Sequence, residues 1–309
     1  MSFFASSAAS FQPVVGEAIN EVDRQQFVGA QILPLQGVAS KKGTYVKIKA
    51  AQFDNDISKP RAAGASFAQT SSAYDSSTFE CVEYGVENML DDLDVAEAET
   101  DALLNIVTQA STQLADNIMV GHEIRVANAL TGASFNSTAA TAVMSNAGAA
   151  TPIADVNNAV QRLNGNGQFN NIQLIMESSL YQEMLQTDDM RSLINGSGAL
   201  AYSQDQVARV LGVDGIILCN SRYNSAKKGQ TGSRTKIWPT TSYFVGSVGN
   251  GPLSNGGIGR TLFYNARGNG AFTSETYRSE QPPANVVRVR SNLDELIVNE
   301  FAAEKITGA

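Results

Sequence analysis

The sequence predicts an α+β fold in which a long β-hairpin, a long helix and an α/β lobe follow one another. Three observations predict it. Alternating apolar and polar residues over 43–49 and 77–86 indicate two strands that flank a long loop. Apolar residues recur at helical spacing from Leu103 to Ala127. Helix and strand patterns then alternate over residues 150–246, which is typical of an α/β lobe.

The composition is that of an ordered globular protein whose surface is acidic. The 309 residues are 43% hydrophobic and 17% charged, which argues against disorder along the whole chain. The formal net charge is -8, so no sequence-wide basic surface exists to neutralise phosphates. A sequence-reading nucleic-acid protein is therefore disfavoured. A protein that only encloses nucleic acid needs no such surface.

The two cysteines, Cys81 and Cys219, are far apart in the sequence. Disulfide scaffolds are dense in cysteine, so this pattern predicts free thiols in a reducing compartment. No signal-peptide pattern and no apolar stretch of membrane-spanning length is visible. We therefore expect the protein to be made and kept in the cytoplasm.

The N-terminal part predicts an arm followed by an extended hairpin. Residues 1–40 are rich in Ala, Ser, Gln and Val without a sustained period, so as an isolated segment they have little to bury. The hairpin covers 41–86, and its loop contains Pro60 and Gly64. A two-stranded ribbon is only marginally stable in water. The hairpin is therefore expected to rest on a neighbouring subunit.

A long helix is predicted over 101–131, with Gly132 as its stop. At about 1.5 Å per residue it would be roughly 46 Å long, so it must brace something extended. Acidic residues crowd its approach and start, where they complement the helix dipole: Asp91, Asp92, Asp94, Glu97, Glu99 and Asp101.

The remaining elements are assigned by their hydrophobic periods and by Gly, Pro and Asn breakers. The lobe should contain helices at 153–164, 179–186 and 204–211, strands at 172–176 and 216–219, and a closing pair formed by 236–238 and 243–245. A further strand is expected at 261–264, and the C-terminal segment should contain strands at 286–290, 296–299 and 304–306.

The sequence offers no convincing catalytic, cofactor or metal site. A general-base role would have to use the single histidine, His122, whose position inside a structural helix favours a packing role. Two distant cysteines and one histidine do not supply a zinc ligand set. The acidic cluster Asp91–Asp101 lacks the spacing of a calcium loop. We therefore predict no enzyme and no cofactor.

Two further patterns have ordinary structural explanations. The glycines between Gly246 and Gly259 do not match a phosphate-binding motif, so they are expected to be turn residues. Arg222, Lys227 and Lys228 form a small basic patch, which is expected to be a solvated loop.

Five segments, in this order along nearly the whole chain, resemble the major capsid proteins of tailed double-stranded-DNA bacteriophages (the HK-ninety-seven-like or Johnson fold). They are the segment that leads into the extension loop, the opening and the tip of that loop, the junction of strand and spine helix, and a helix–strand step of the axial domain. The matching residues are Val28–Pro34, Lys42–Tyr45, Arg61–Gly64, Glu83–Glu87 with Asp91-Asp92, and Ala208–Val213 with Ile216–Asn220 and Tyr223.

This resemblance implies an architecture and a function. The architecture is an N-terminal arm (1–40), an extension loop (41–86), a peripheral domain (87–149 and 266–309) that carries the spine helix, and an axial domain (150–265). The function is self-assembly into hexamers and pentamers of an icosahedral shell around packaged double-stranded DNA, without sequence-specific contact. A separate scaffolding protein, a portal protein and a decoration protein are the implied partners, with no membrane involved.

Contacts between subunits are expected to join the loop to the acidic cluster. Loop cations would pair with acidic residues of the adjacent subunit and set register more than strength, because exposed ion pairs contribute little. The residues are Lys47, Lys49, Lys59 and Arg61 on the loop and Asp91, Asp92 and Glu97 on the neighbour. No acceptor is identifiable for the lysine crosslinks that some relatives form, so crosslinking is not predicted.

Three alternatives remain open. An encapsulin-type nanocompartment shell would share the fold but enclose cargo enzymes. A cytoplasmic α/β enzyme would need a convergent polar pocket in the lobe. Another virion component, such as a tail-tube or decoration protein, would usually be shorter and richer in β-structure.

Overall fold

The computed structural model describes residues 25–48, 60–61, 63–67, 74–93, 95, 106–167, 169–197, 203–227, 229–265 and 270–309. The helices in these ranges are α1 (Gly29–Ile32), α2 (Ile106–Gly132), α3 (Pro152–Asn166), α4 (Ser178–Gln186), α5 (Asp188–Ser197) and α6 (Gln204–Leu211). The strands are β1 (Leu35–Val38), β2 (Lys42–Ile48), β3 (Tyr74–Glu80), β4 (Val82–Asp91), β5 (Asn136–Ala139), β6 (Ile172–Glu177), β7 (Gly215–Cys219), β8 (Arg222–Asn224), β9 (Arg234–Lys236), β10 (Ser242–Ser247), β11 (Gly259–Tyr264), β12 (Phe272–Glu280), β13 (Pro283–Ile297) and β14 (Ala303–Thr307).

The first sheet is organised around the long strand β13. On one edge β13 pairs with β4. On its other edge the first part of β13 pairs with β12 and the last part pairs with β11, and β11 also pairs with β1. Leu293 shows this directly, because it is paired with both Val82 of β4 and Phe263 of β11. The two separate strands expected at 286–290 and 296–299 are therefore one strand. The polar residues between them did not end it, since the ladder to β4 continues through Asn292.

The second sheet has the order β5-β14-β10-β6-β7, with β5 parallel to β14 and β6 parallel to β7. Its central strand β10 is buried along its whole length. On one face the sheet packs against helices α3, α4 and α6, and on the other against the end of α2 and the segment around α1. Alternation explains this division: Leu174 faces the helices, whereas Ile175 faces α2.

Helix α2 packs on both sheets. Ala110, Leu114 and Ile118 in its first half lie against Val287 and Val289 of the first sheet. In its second half, Val126, Ala127 and Leu130 join the core beneath the second sheet. The predicted long helix is present over Ile106–Gly132, about 40 Å. Its expected first residues, 101–105, lie outside the described part.

Strands β2 and β3 form the expected antiparallel hairpin, from Lys42 opposite Glu80 to Ile48 opposite Tyr74. The single strand expected at 77–86 is in fact two strands. It is divided at Cys81, whose N–H donates to the carbonyl of Lys41 at 2.9 Å, and the chain then enters the first sheet as β4. An alternating pattern alone does not show that the pairing partner changes at this residue.

The expected pairing of 236–238 with 243–245 is wrong. Strand β9 pairs with β8, and β10 pairs with β14 and β6, so the two segments belong to different sheets. The reason is burial: β10 is fully buried and needs a partner on each edge, whereas β8 and β9 form an exposed ribbon.

Helix α6 follows the sequence signals closely. Ser203 and Gln206 form a capping box at its start, and Gly212 ends it with φ +72 in the left-handed region. None of the described helices is long and apolar enough to cross a membrane. The domain assignment stays a prediction; strands β5 and β14, from its peripheral part, lie in the second sheet, and β11, from its axial part, lies in the first.

Candidate assembly surface

The β2–β3 hairpin exposes apolar side chains and has no core of its own. None of its described strand side chains is buried. Val46 and Tyr74 are both 61% exposed, and the register places them on the same face, since residues 46 and 48 lie opposite 76 and 74. Phe67, in the connecting loop, is 73% exposed. A two-stranded ribbon is marginal in water, so this surface requires a partner that covers it.

The basic residues predicted on this loop contact residues of the loop itself. The Lys47 Nζ atom lies 5.7 Å from the centre of the Tyr45 ring. Arg61 donates through Nη1 to the Ala65 carbonyl at 2.9 Å, and its guanidinium lies 4.5 Å from the centre of the Phe67 ring. Lys49 and Lys59 lie outside the described residues. Lys47 and Arg61 thus lie on the exposed hairpin, and no carboxylate of the described residues forms an ion pair with either of them, whereas Lys42 at the base of the hairpin pairs with Glu80.

The acidic residues predicted for the neighbouring surface lie at the end of β4. Asp91 accepts a hydrogen bond from the N–H of Leu93 at 2.9 Å. Asp92 accepts two from Arg278 of β12, at 2.8 and 2.7 Å, and this guanidinium holds the pKa of Asp92 below its usual range. Glu97 lies outside the described part. The structure thus shows Asp92 in an ion pair within its own chain, a contact that the sequence did not reveal.

A ladder of ion pairs covers the outward face of the first sheet. Arg288 binds Glu87 across the β13–β4 pair and lies over the Tyr277 ring of β12 at 4.8 Å. Arg290 reaches Glu83 on one side, at 3.3 Å, and Glu275 on the other, at 2.6 Å. Opposite charges on neighbouring strands stabilise their register. This face therefore fixes the order β4, β13, β12 while remaining exposed.

Glu123 is the centre of a buried network that joins the N-terminal segment to the helix and the lobe. Its side chain is fully buried on α2. One oxygen accepts from Gly29 N at 2.7 Å, and the other from Trp238 Nε1 at 2.7 Å and Ser221 Oγ at 3.0 Å. Gly29 has no room for a side chain, because a Cβ atom there would lie 2.8 Å from the Glu123 carboxylate. The carboxylate thus links three segments that are far from α2 or from one another in the sequence by hydrogen bonds.

His122 is buried beside this network. Its Nε2 lies 3.3 Å from Thr261 Oγ1 and 3.9 Å from a Glu295 oxygen, and its ring meets Phe272 edge-on. Burial, reinforced by the positive charge of Arg125, lowers the pKa of His122 to about 4. His122 is therefore neutral at pH 7, and its contact with Glu295 is not an ion pair there. The side chain is inaccessible to a substrate, in agreement with the packing role expected from the sequence.

Glu295 and Glu177 are two further buried carboxylates with structural partners. Burial raises the pKa of Glu295, and the Arg125 guanidinium, 3.0 Å away, offsets only part of this rise. For Glu177 burial also raises the pKa, but hydrogen bonds from Ser179 and Lys236 outweigh it, so the value lies below the ordinary one. Glu177 caps the start of α4 and holds Lys236 at 3.1 Å. Both carboxylates thus brace the fold.

No arrangement of reactive side chains is found on the accessible polar surface of the described residues. One cleft of about 240 Å³ opens near the base of the hairpin, between Lys41, Tyr264 and the Glu83–Arg290 ion pair. These side chains provide no nucleophile with an adjacent base. Among the described residues, no group of three or more His, Cys, Asp or Glu is placed to hold a metal ion. Cys81 and Cys219 are both buried, and neither forms a disulfide bond.

No protein-family model and no curated protein matches the sequence, but solved structures match its fold over nearly the whole chain. A phage-related protein from Bordetella bronchiseptica RB50 is 12% identical with a TM-score of 0.67, covering 99% of this chain and 95% of that one. The capsid of the cyanophage P-SCSP1u is 13% identical with a TM-score of 0.65, covering 97% and 93%. The chain has the fold of phage capsid proteins. A virus-like particle from Pyrococcus furiosus shares this capsid fold at 11% identity and a TM-score of 0.54, covering 89% and 90%.

The capsid fold confirms the predicted fold class, but sequence reasoning missed the Glu123 network. Glu123 directly follows His122, and sequence reasoning had singled out only the histidine. One signal was present: a glutamate on the apolar side of a predicted helix, between Val120 and Val126, has to find buried donors. Its partners lie 94 to 115 residues away in the sequence, so their identity depends on the tertiary structure.

Proposed function

We propose that this chain is the major capsid protein of a tailed double-stranded-DNA phage, a shell-forming subunit and not an enzyme. The observation that carries the proposal is the β2–β3 hairpin, which exposes Val46, Phe67 and Tyr74 and has no core of its own. On a body with the capsid fold, a second copy of the chain is the partner that such a hairpin requires.

The different structural elements can take the separate roles that a shell-forming subunit needs. Specific interfaces bury about 1,200–2,000 Å² each, and a subunit of a closed shell needs several of them. An arm and a projecting hairpin provide contact area without enlarging the core. Helix α2 connects the two sheets, so contacts made at either end act on one rigid body. Assembly into hexamers and pentamers is the arrangement we infer for these subunits.

Within the shell, the loop cations would contact the acidic end of strand β4 of the adjacent subunit. Lys47 and Arg61 are on the exposed hairpin, and Asp91 is exposed. Asp92 already binds Arg278 of its own chain, so a cation from a neighbour would have to share it. Lys49, Lys59 and Glu97 remain part of this proposal. Exposed ion pairs of this kind set register rather than strength.

A phage shell implies further partners and a location. We infer a virion location after assembly in the host cytoplasm, with a separate scaffolding protein, a portal protein and a possible decoration protein as partners, and packaged double-stranded DNA inside. An encapsulin-type shell is the second candidate, since the virus-like particle from Pyrococcus furiosus shows that this fold also forms particles that are not named as phage capsids. The contents of the particle distinguish the two, since one holds DNA and the other holds protein cargo.

Electron microscopy of the expressed chain tests the proposal. The wild type is expected to form closed shells, whereas deletion of 54–72 or the double substitution Val46→Ser/Tyr74→Ser is expected to leave soluble, unassembled subunits. Val143→Ser is the matched control, because Val143 is also an exposed apolar residue, at 49%, but lies away from the hairpin. If the hairpin variants close into normal shells, the hairpin is not the assembly element and the proposal fails.

A further inference from the structure

The β8–β9 ribbon concentrates positive charge in an otherwise acidic protein. Five of the 22 Lys and Arg residues lie between Arg222 and Lys236, and no Asp or Glu occurs between Asp214 and Glu275. The chain as a whole has a formal charge of -8. The positive charge of the ribbon is therefore a local feature, and acidic residues of neighbouring sequence do not neutralise it.

The register of the ribbon places its cations on one face. Arg222 is directly opposite Lys236, and Asn224 is directly opposite Arg234. Directly opposite residues share a face, and alternate residues of a strand return to it after about 7 Å. Arg222 and Arg234 are exposed on this face, and exposed Lys227 follows at the tip.

Only one of the described cations of the ribbon is paired. Lys236 is half-buried and binds Glu177 at 3.1 Å, which ties the base of the ribbon to the lobe. Within the described part of the chain, no carboxylate forms an ion pair with Arg222, Lys227 or Arg234. Their charges are available to an external partner.

The ribbon backbone is held in a defined shape. The Asn224 Oδ1 atom accepts hydrogen bonds from the N–H groups of Ala226 at 3.1 Å and Ser233 at 3.0 Å. Ser225 Oγ lies 2.8 Å from Thr235 Oγ1 across the strands. These bonds hold the described ends of the connecting loop, at Ser225–Ala226 and Ser233, in place, so binding a partner does not require these backbone segments to be ordered first.

The chemistry of the ribbon selects the kind of partner. The cores of protein–protein interfaces are enriched in aromatic residues, Met and Arg and depleted in Lys and Ser. Apart from its two arginines, the exposed described residues of this ribbon are Lys, Ser, Asn, Thr, Gln and Gly, with no aromatic residue or Met among them. Spaced cations without apolar neighbours match a phosphate backbone, which is recognised by charge and not by sequence.

We propose that the β8–β9 ribbon binds the phosphate backbone of double-stranded DNA without reading its sequence. Under the proposed capsid function, on which the identity of the polymer rests, the DNA is the packaged genome. The basic patch that the sequence suggested as a solvated loop is then a point of contact between shell and genome. An otherwise acidic subunit would repel DNA elsewhere and hold it only at these ribbons.

The test measures binding of the full-length, unassembled protein to a mixed-sequence duplex of about 20 base pairs, between about 50 and 200 mM salt. The variant is Arg222→Gln/Arg234→Gln. The matched control is Arg191→Gln/Arg209→Gln, which removes the same charge from exposed positions on helices α5 and α6 of the same lobe. Each lost phosphate contact is expected to reduce the salt slope of the logarithm of the binding constant by about one unit, so the ribbon variant should lose about two and the control none.

Two results for the ribbon variant overturn the inference. One is an unchanged salt slope in the ribbon variant. The other is a ribbon variant that binds DNA normally but no longer assembles, which would make the ribbon an interface between copies of the chain. Micrographs of the same proteins under assembly conditions report separately on the proposed function. Wild-type protein that forms shells but binds no duplex before assembly contradicts the ribbon proposal alone, whereas protein that never forms shells contradicts the capsid proposal.

Discussion

His122 should make the folded subunit sensitive to acid. It is the only histidine in the chain, and it is buried between Thr261, Phe272 and Glu295. Burial and the nearby Arg125 lower its pKa from 6.5 to about 4 in the folded state. In the unfolded chain the imidazole takes up a proton near its ordinary pKa, whereas the folded protein resists this to a much lower pH.

The sign and size of the effect follow from linkage. Because the folded pKa is the lower one, the stabilisation is complete above about pH 6.5 and is lost as the pH falls towards 4. At 1.36 kcal/mol per pKa unit, the loss in the free energy of unfolding is about 3 kcal/mol. Burial raises the pKa of Glu295, and its protonation in acid acts in the opposite direction. A comparison with a variant is therefore needed to isolate the histidine.

The assay is urea unfolding of unassembled subunits at several pH values between 4 and 7, for the wild type and for His122→Gln. Glutamine does not titrate and leaves Glu295 in place, so the difference between the two stability curves isolates the histidine. The wild-type curve should fall more steeply by about 3 kcal/mol across this interval. Parallel curves for the two proteins would refute the argument, because they would mean that His122 is protonated as readily in the folded state as in the unfolded one.

Three further predictions concern other positions in the fold. Glu123→Ala leaves several buried donors without an acceptor, each costing about 1–3 kcal/mol, so the urea midpoint of unfolding should drop sharply. Glu123→Gln keeps one acceptor oxygen and should lower the midpoint less. A small and equal effect of the two substitutions would contradict the network. Gly212→Ala places a Cβ atom 2.9 Å from Asn157 at φ +72, and calorimetry should show a loss of about 1 kcal/mol or more. Burial raises the pKa of Cys81 to about 11 and that of Cys219 well above its ordinary value, so neither thiol should react with a thiol reagent at pH 7 until the protein unfolds; rapid reaction of the native protein would show that they are accessible.

The sequence predicted the positions of individual helices and strands better than it predicted which strands pair with each other. Helix α6 was predicted at its observed ends, because its period and the stop at Gly212 are local signals; the capping box of Ser203 and Gln206 at its start was seen only in the structure. The pairing of 236–238 with 243–245 was wrong, because apolar alternation indicates a strand but not the strand beside it. Strand β10 is fully buried and finds its partners in β6 and β14, which are far away in the sequence.

The same distinction applies to the candidate surface. The exposed hairpin was predicted because a long loop between two alternating strands is itself a local pattern. The partner of Asp92 was not, since Arg278 lies 186 residues further along and becomes a neighbour only through the pairing of β4 and β12 with β13. Charges near a predicted helix start suggested a dipole role. Of the described ones, Asp91 ends strand β4, and Asp92, at the helical residues that follow it, binds Arg278.

The way in which helix α2 packs determines which parts of the molecule can move relative to one another. One rod of about 40 Å is fixed to a β-sheet at each half, so a hinge between the sheets would have to break consecutive backbone hydrogen bonds of the helix and expose Leu114 or Val126. The hairpin has no comparable anchorage. Among the described strands its two strands form a backbone ladder with each other alone, and its base is tied to the first sheet where the Glu80 N–H donates to the Asp294 side chain at 3.0 Å. In the proposed shell, differences in shell curvature from one subunit position to another would therefore be accommodated by the tilt of the hairpin, while the body keeps a constant shape.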